Sequence, residues 1–191
     1  MLLKIVQAGT PVLRHKARSL TPAEVRGGPI QMLIELMRET MRDAPGVGLA
    51  APQIGEPLRL AVIEDQVTRD EAERAPVPFH VIVNPEVRFR GDPPHMLDFF
   101  EGCLSVEGYQ AIVPRAREVT VNALDHRGEP ITIDASGWYA RILQHEIDHL
   151  NGTLYIDRMY PRTYSTARNV SSFWLGHAPG EIMKALGDGE G

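Results

Sequence analysis

The chain has a single cysteine, no apolar run near the roughly 20 residues that a membrane-spanning helix needs, and no excess of basic charge. Cys103 alone excludes an intrachain disulfide and fits a reducing compartment. A formal net charge of −5, without any Lys/Arg run, removes the electrostatic case for a nucleic-acid or anionic-membrane partner. Aromatic residues are few, at 6%, yet 43% of the 191 residues are hydrophobic and 24% charged, which suits one compact globular domain. Met1-Leu2-Leu3-Lys4-Ile5-Val6 gives way to Gly9-Thr10-Pro11 too soon for a secretory signal. A cytosolic protein is the simplest expectation, with an organellar address if a transit peptide preceded the chain.

Periodicity supplies the elements. Leu33, Leu36, Met37 and Met41 recur at helical spacing, predicting an amphipathic helix over residues 30–43 that starts near Pro29 and stops at Pro45-Gly46. Residues 46–55 are small and glycine-punctuated, a stretch where backbone can approach a ligand closely. Strands are predicted at 58–63 and 79–83, the second ended by Asn84-Pro85, with 66–78 a charged surface loop and 86–90 a further strand. Residues 119–124 and 131–133 flank the turn at 125–128 as a hairpin. The period then changes to a helix over about 137–151, capped by Ser136 and stopped by Gly152, followed by a short strand at 154–156. Several strands before a late helix predict an α+β fold with antiparallel sheets. The division expected is a catalytic domain over 1–165 and a tail over 166–191 with a disordered end.

Chemistry concentrates on the late helix. In His145-Glu146-Ile147-Asp148-His149 the two imidazoles lie four residues apart, so they stack on one helix face and can converge on one metal ion. Glu146 is placed to handle a proton from a metal-bound water without itself being a ligand. Ile142, Leu143, Ile147 and Leu150 make the helix largely buried, where two histidines and two acids need partners. A catalytic site wants a third protein ligand, and the thiolate in Glu101-Gly102-Cys103-Leu104-Ser105 is a candidate, with Gly102 permitting close approach. Asp148 reads as a surface or supporting residue. Gln53 suits an amide donor to a developing oxyanion. Each has a plainer reading: Cys103 as a small buried hydrophobe, Gln53 as a polar loop residue. His15, His80, His95, His126 and His177 lack ligand-like spacing, and Ser105 lacks a base-orienting partner. A metal-dependent hydrolase is predicted. A zincin-type protease would need a further downstream ligand, and a structural metal a fourth.

Gly46-Val47-Gly48-Leu49-Ala50-Ala51-Pro52-Gln53, Glu101-Gly102-Cys103-Leu104-Ser105 and Gln144-His145-Glu146-Ile147-Asp148-His149 together resemble the three signature segments of peptide deformylases, in order and separation. The resemblance implies antiparallel sheets packed around a central metal-binding helix, and removal of the N-formyl group from the initiator methionine of nascent peptides. It implies Cys103, His145 and His149 as ligands of one divalent ion, iron(II) as the usual native metal, with zinc, nickel or cobalt able to substitute. Glu146 would move the proton from water to the leaving amine, and Gln53 with the backbone N–H of Leu104 would stabilise the oxyanion. Gly48 would pair with the substrate backbone, and Glu101 and Gly102 would contact the substrate beside it.

Trp138, Arg141 and Ile142 precede His145 on its helix face. Trp138 and Val47, with Phe99 beside Glu101, are expected to shape the methionine pocket, although Trp138 is equally suited to plain core packing. Arg141 would pack its stem there and pair its charge with an acid such as Glu101. The partners implied are formyl-methionyl nascent peptides and a transient ribosome contact near the exit tunnel, in a bacterial cytoplasm. Glu107-Gly108-Tyr109-Gln110, the Ser136-Gly137-Trp138 helix start and the short tail depart from the commonest bacterial pattern toward the branch that includes organellar enzymes.

Overall fold

Residues 60–63 show no alternation because the strand they form is covered on both faces. In the computed structural model, which describes residues 1–44, 46–66 and 75–187, that strand is the second of a five-stranded antiparallel sheet. Its strands β1 (Gly48–Ala50), β2 (Leu60–Asp65), β3 (Val77–Phe89), β6 (Glu118–Leu124) and β7 (Pro130–Ser136) lie in the order β1-β2-β3-β6-β7. The intervening β4 (Met96–Cys103) and β5 (Val106–Ala116), with β8 (Ser165–Thr166), make a second antiparallel sheet in the order β4-β5-β8.

Helices fill the spaces that these sheets leave. A one-turn α1 (Pro22–Arg26) leads into α2 (Gly28–Asp43), whose buried Ile34, Met37 and Met41 pack with Leu60, Val62 and Val81 on one face of the large sheet. Ala61, Ile63 and Ile82 point to the opposite face and meet Ile142, Leu143, Ile147 and Leu150 of α3 (Gly137–Leu150). Each fully buried Leu, Ile or Met side chain contributes roughly 1.5–3 kcal/mol. α3 also contacts β5, so the metal-motif helix runs between the sheets as the fold class predicted. Gln144 locks it there: its amide accepts from the Ala116 N–H at 3.0 Å and donates to the Ala116 and Ala140 carbonyls at 2.9 Å.

Several boundaries differ from expectation. The two strands predicted at 79–83 and 86–90 are one strand with a register shift between Val83 and Glu86. Asn84 absorbs the shift at φ 51°, and its side chain exchanges two hydrogen bonds with the Leu20 backbone. The strand expected at 154–156 is a 3₁₀ turn over Tyr155–Asp157, closed by Asp157 accepting from the Leu154 N–H at 2.8 Å. Ser136 ends β7 and its hydroxyl makes no cap, while Gly152 does stop α3 at φ 77°, where a Cβ would fall 2.7 Å from the Arg14 carbonyl oxygen. The tail folds back through α4 (Ala167–Asn169) and α5 (Pro179–Ala185), whose Ile182 is buried. Most of the loop expected at 66–78, the stop at Pro45 and the end beyond Gly187 lie outside the described residues. No described helix is long and apolar enough to cross a membrane.

Candidate active site

One cavity of about 480 Å³ opens between the sheets, lined by parts of all three signature segments. α3 presents His145 and His149 on one face, as their spacing requires, with Nε2 atoms 3.3 Å apart. The hairpin from β4 to β5 brings the Cys103 sulfur to 3.2 Å from His149 Nε2. The ligand atoms of Cys103, His145 and His149 all lie within 4.8 Å of one another. Three electron-pair donors converging in a largely buried place fit a divalent cation of borderline softness. Burial pushes the His149 pKa well down, which keeps its lone pair available.

His145 is oriented from behind. Its Nδ1 lies 3.2 Å from Glu101 Oε2, and a carboxylate can only accept, so Nδ1 carries the proton and Nε2 faces the cluster. Glu101 is in turn gripped by Arg115, whose Nε and Nη2 donate to both carboxylate oxygens at 2.9 Å. Arg115 Nη1 donates to Asp148 at 2.6 Å, and half-exposed Arg158 donates to both oxygens of Asp148 at 2.7 and 2.8 Å. The expected Arg141–Glu101 pair is therefore replaced. Arg115 takes the carboxylate, and Arg141 donates to the Phe100 carbonyl while its guanidinium lies over Phe99 and Trp138. Glu101, expected as a substrate contact, borders the cavity with its oxygens engaged by Arg115 and His145.

Burial alone would raise the Glu101 carboxyl, but hydrogen bonds and charge from His145 and Arg115 outweigh it and hold the pKa at about 2. A depressed pKa contributes stability that is present above the ordinary 4.5 and lost as pH falls toward 2. Denaturation midpoints between pH 5 and pH 3 should therefore fall steeply for the wild type and less for Glu101→Gln. Equal slopes would show that this carboxylate carries no acid sensitivity.

Glu146 sits beside the ligands, buried, with Oε2 making no hydrogen bond among the described residues. Burial raises its pKa to about 7, with the His145 charge opposing. Gly48 makes the room it occupies: a Cβ there would stand 2.1 Å from Glu146 Oε1. Gly48→Ala should displace this carboxylate and lower turnover by about 10²-fold or more while metal content persists, measured by formate release beside atomic absorption. Turnover within twofold of wild type would show that the carboxylate tolerates displacement.

Gln53 is aimed by its own loop. Its Oε1 accepts from the Ala50 N–H at 2.8 Å, leaving Nε2 3.5 Å from the Cys103 sulfur and 3.3 Å from the buried Ser105 hydroxyl. Val47, Leu104, Trp138, Arg141 and Ile142 all border the cavity. Trp138 is fixed by its Nε1 donating to Asp65 at 2.6 Å. Phe100 lines the wall where Phe99 was expected, and Phe99 lies under Arg141. Gly102 also borders it, and a Cβ there would meet Gln110 at an ordinary 3.4 Å. Arg115, Tyr109 and Ala167 were not anticipated. A charged residue inside the apolar 111–116 run was the available signal for Arg115. Ala167 places the tail at the cavity, so the boundary expected at 165 does not separate the tail from the site.

The model of the polypeptide deformylase family matches residues 2–164. The chain belongs to that family. It is 49% identical to the chloroplastic peptide deformylase 1A of Solanum lycopersicum over 87% of this chain. It spans 62% of that protein's length, less than two thirds. It is 45% identical to peptide deformylase 1 of Bifidobacterium longum over 97% of this chain and 86% of that one. A Met-Ala-Ser-bound class I type b peptide deformylase from Acinetobacter baumannii superposes with a TM-score of 0.77 at 32% identity, covering 83% of this chain and 99% of that one. The family is metal-dependent, and Cys103, His145 and His149 are the cluster that fits an ion here.

Proposed function

We propose that this chain hydrolyses the N-formyl group from the N-terminal formyl-methionine of nascent polypeptides and releases formate. The observation that carries this is the meeting of the Cys103–His145–His149 cluster with the buried carboxylate of Glu146, whose Oε2 makes no hydrogen bond among the described residues, and the aimed amide of Gln53. Cys103, His145 and His149 hold one divalent ion, which when bound supplies Lewis acidity toward the formyl group and its attacking water. Iron(II) is the native metal in this proposal, with zinc, nickel or cobalt accepted by the same ligands.

The protein groups divide the remaining work. Glu146 takes the proton of the attacking water and returns it to the departing amine nitrogen, a task for which its buried place beside the cluster positions it. Gln53 Nε2 and the Leu104 N–H donate to the oxygen on which negative charge develops, each worth roughly 3–4 kcal/mol in other hydrolases. Val47, Trp138 and Ile142, with the stem of Arg141, wall the methionine side chain, and the backbones at Gly48 and Gly102 flank the peptide. The substrate emerges from ribosomes, so a brief contact near the exit tunnel belongs to the same proposal. A bacterial cytoplasm, or an organelle interior, is the setting in this proposal, in keeping with similarity to a bacterial relative and to a chloroplastic/mitochondrial one.

The test is formate release from formyl-Met-Ala-Ser by protein loaded anaerobically with iron(II) or nickel. Metal-dependent formate with the tripeptide left intact is expected. Cleavage of a peptide bond, or no formate from a folded, metal-replete sample, would overturn the proposal.

A further inference from the structure

The mechanism leaves one end of the cavity unused. Along the β4–β5 ladder Phe100 pairs with Ile112, Gly102 with Gln110, and then Cys103 with Val106, so Glu107, Gly108 and Tyr109 have no partner on β4 and bulge outward. Gly108 turns the bulge at φ 81°, a left-handed conformation that glycine adopts without strain. This hairpin end lies away from Phe100, the end that Arg141 reaches from the start of α3. Val106, Gly108, Tyr109 and Gln110 line the cavity here, and none of them is charged.

The tail completes this wall. Tyr109 pairs with Thr166 and Gln110 with Ser165, so β8 clips the tail along the outer edge of β5. Ala167 thereby reaches the cavity, and Tyr164 stacks on Tyr109 with ring centroids 4.9 Å apart and planes 6° from parallel. The Tyr155 hydroxyl donates to the Tyr109 carbonyl at 3.1 Å, and the Tyr155 ring centroid lies 6.4 Å from that of His145. The platform is thus tied to the metal-ligand cluster. Both rings stay partly open, Tyr109 at 42% and Tyr164 at 40% exposure. An extended peptide advances about 3.3 Å per residue, so the two residues after methionine reach about 7 Å further along the cleft.

We propose that Tyr109, held in place by the stacked ring of Tyr164, forms with Ala167 a subsite for an aromatic or large apolar side chain in the two residues that follow formyl-methionine. The C-terminal segment is then a specificity-determining part of the enzyme. This rests on the deformylase reading. The occupant is the substrate's own chain, because the subsite continues the cavity that holds the reacting group and offers ring faces without charge.

The test compares kcat/KM of the full-length, metal-loaded protein on formyl-Met-Ala-Ser, formyl-Met-Phe-Ser and formyl-Met-Ala-Phe. At least one phenylalanine peptide is expected to exceed the alanine–serine peptide by about 3- to 10-fold, through KM. Tyr164→Ala should bring that ratio to one, and Tyr164→Phe should keep it. Ala167→Glu, which places a carboxylate on the same wall, should move the preference toward lysine peptides. Equal values for all three peptides in the wild type, or a ratio surviving Tyr164→Ala, would overturn the subsite while leaving deformylation intact. No formate from any peptide would overturn the deformylase reading, and this inference with it.

Discussion

Glu146→Gln should retain a full complement of metal and lose turnover by about 10²- to 10⁴-fold. The substitution keeps the volume beside Gly48 and removes the only function the carboxylate has there, accepting and returning a proton. Its environment makes that function specific. Glu146 is 3% exposed, its Oε2 has no hydrogen bond among the described residues, and burial lifts its pKa to about 7. A carboxyl held beside the cluster can both take the water's proton and give it to the amine. Formate release measured beside atomic absorption separates loss of chemistry from loss of metal. Undiminished turnover would remove Glu146 from the mechanism.

Arg115→Leu should destabilise the protein by about 3–5 kcal/mol, because it leaves buried carboxylates without their counter-charge. Arg115 is 3% exposed and grips Glu101 and Asp148 at 2.6–2.9 Å. For a chain of this size the loss corresponds to a melting temperature lower by about 6–20 °C. Arg158→Ala provides the contrast: its side chain is 49% exposed, solvent screens it, and a cost below about 1 kcal/mol is expected. Thermal melts of the two variants decide the matter. A small effect at Arg115 would mean that Arg158 and His145 suffice to hold the two acids. Metal affinity should also fall in Arg115→Leu, since Glu101 would no longer be held against His145 Nδ1.

The parts of the site that were legible share one property: their geometry is local. His145 and His149 converge because a helix places residues four apart on one face, whatever surrounds it. Trp138, Arg141 and Ile142 reached the cavity by the same rule. Cys103 was legible by its residue type and its segment, while its arrival at His149 depends on a hairpin that the sequence pattern concealed. β4 and β5 lack clear alternation, carry Gly102, Gly108 and Pro114, and pair across a bulge. Asn84-Pro85 looked like a strand end because the punctuation is local, whereas the strand continues because its neighbours β2 and β6 hold both sides of the irregularity.

Sequence by itself determined the fold class, the metal-motif helix and the helical spacing that brings His145 and His149 together. Each follows from residue type and short-range period. Tertiary structure alone decided which charges neutralise one another, giving Glu101 to Arg115 and sending Arg141 onto Phe99 and the Phe100 carbonyl. It alone decided that Gly48 is the space in which Glu146 fits, that Ala167 borders the same cavity, and that Tyr164 stacks on the cavity residue Tyr109. Pairing of buried charges and filling of volume depend on distances between segments far apart in the chain, and no local period encodes those distances.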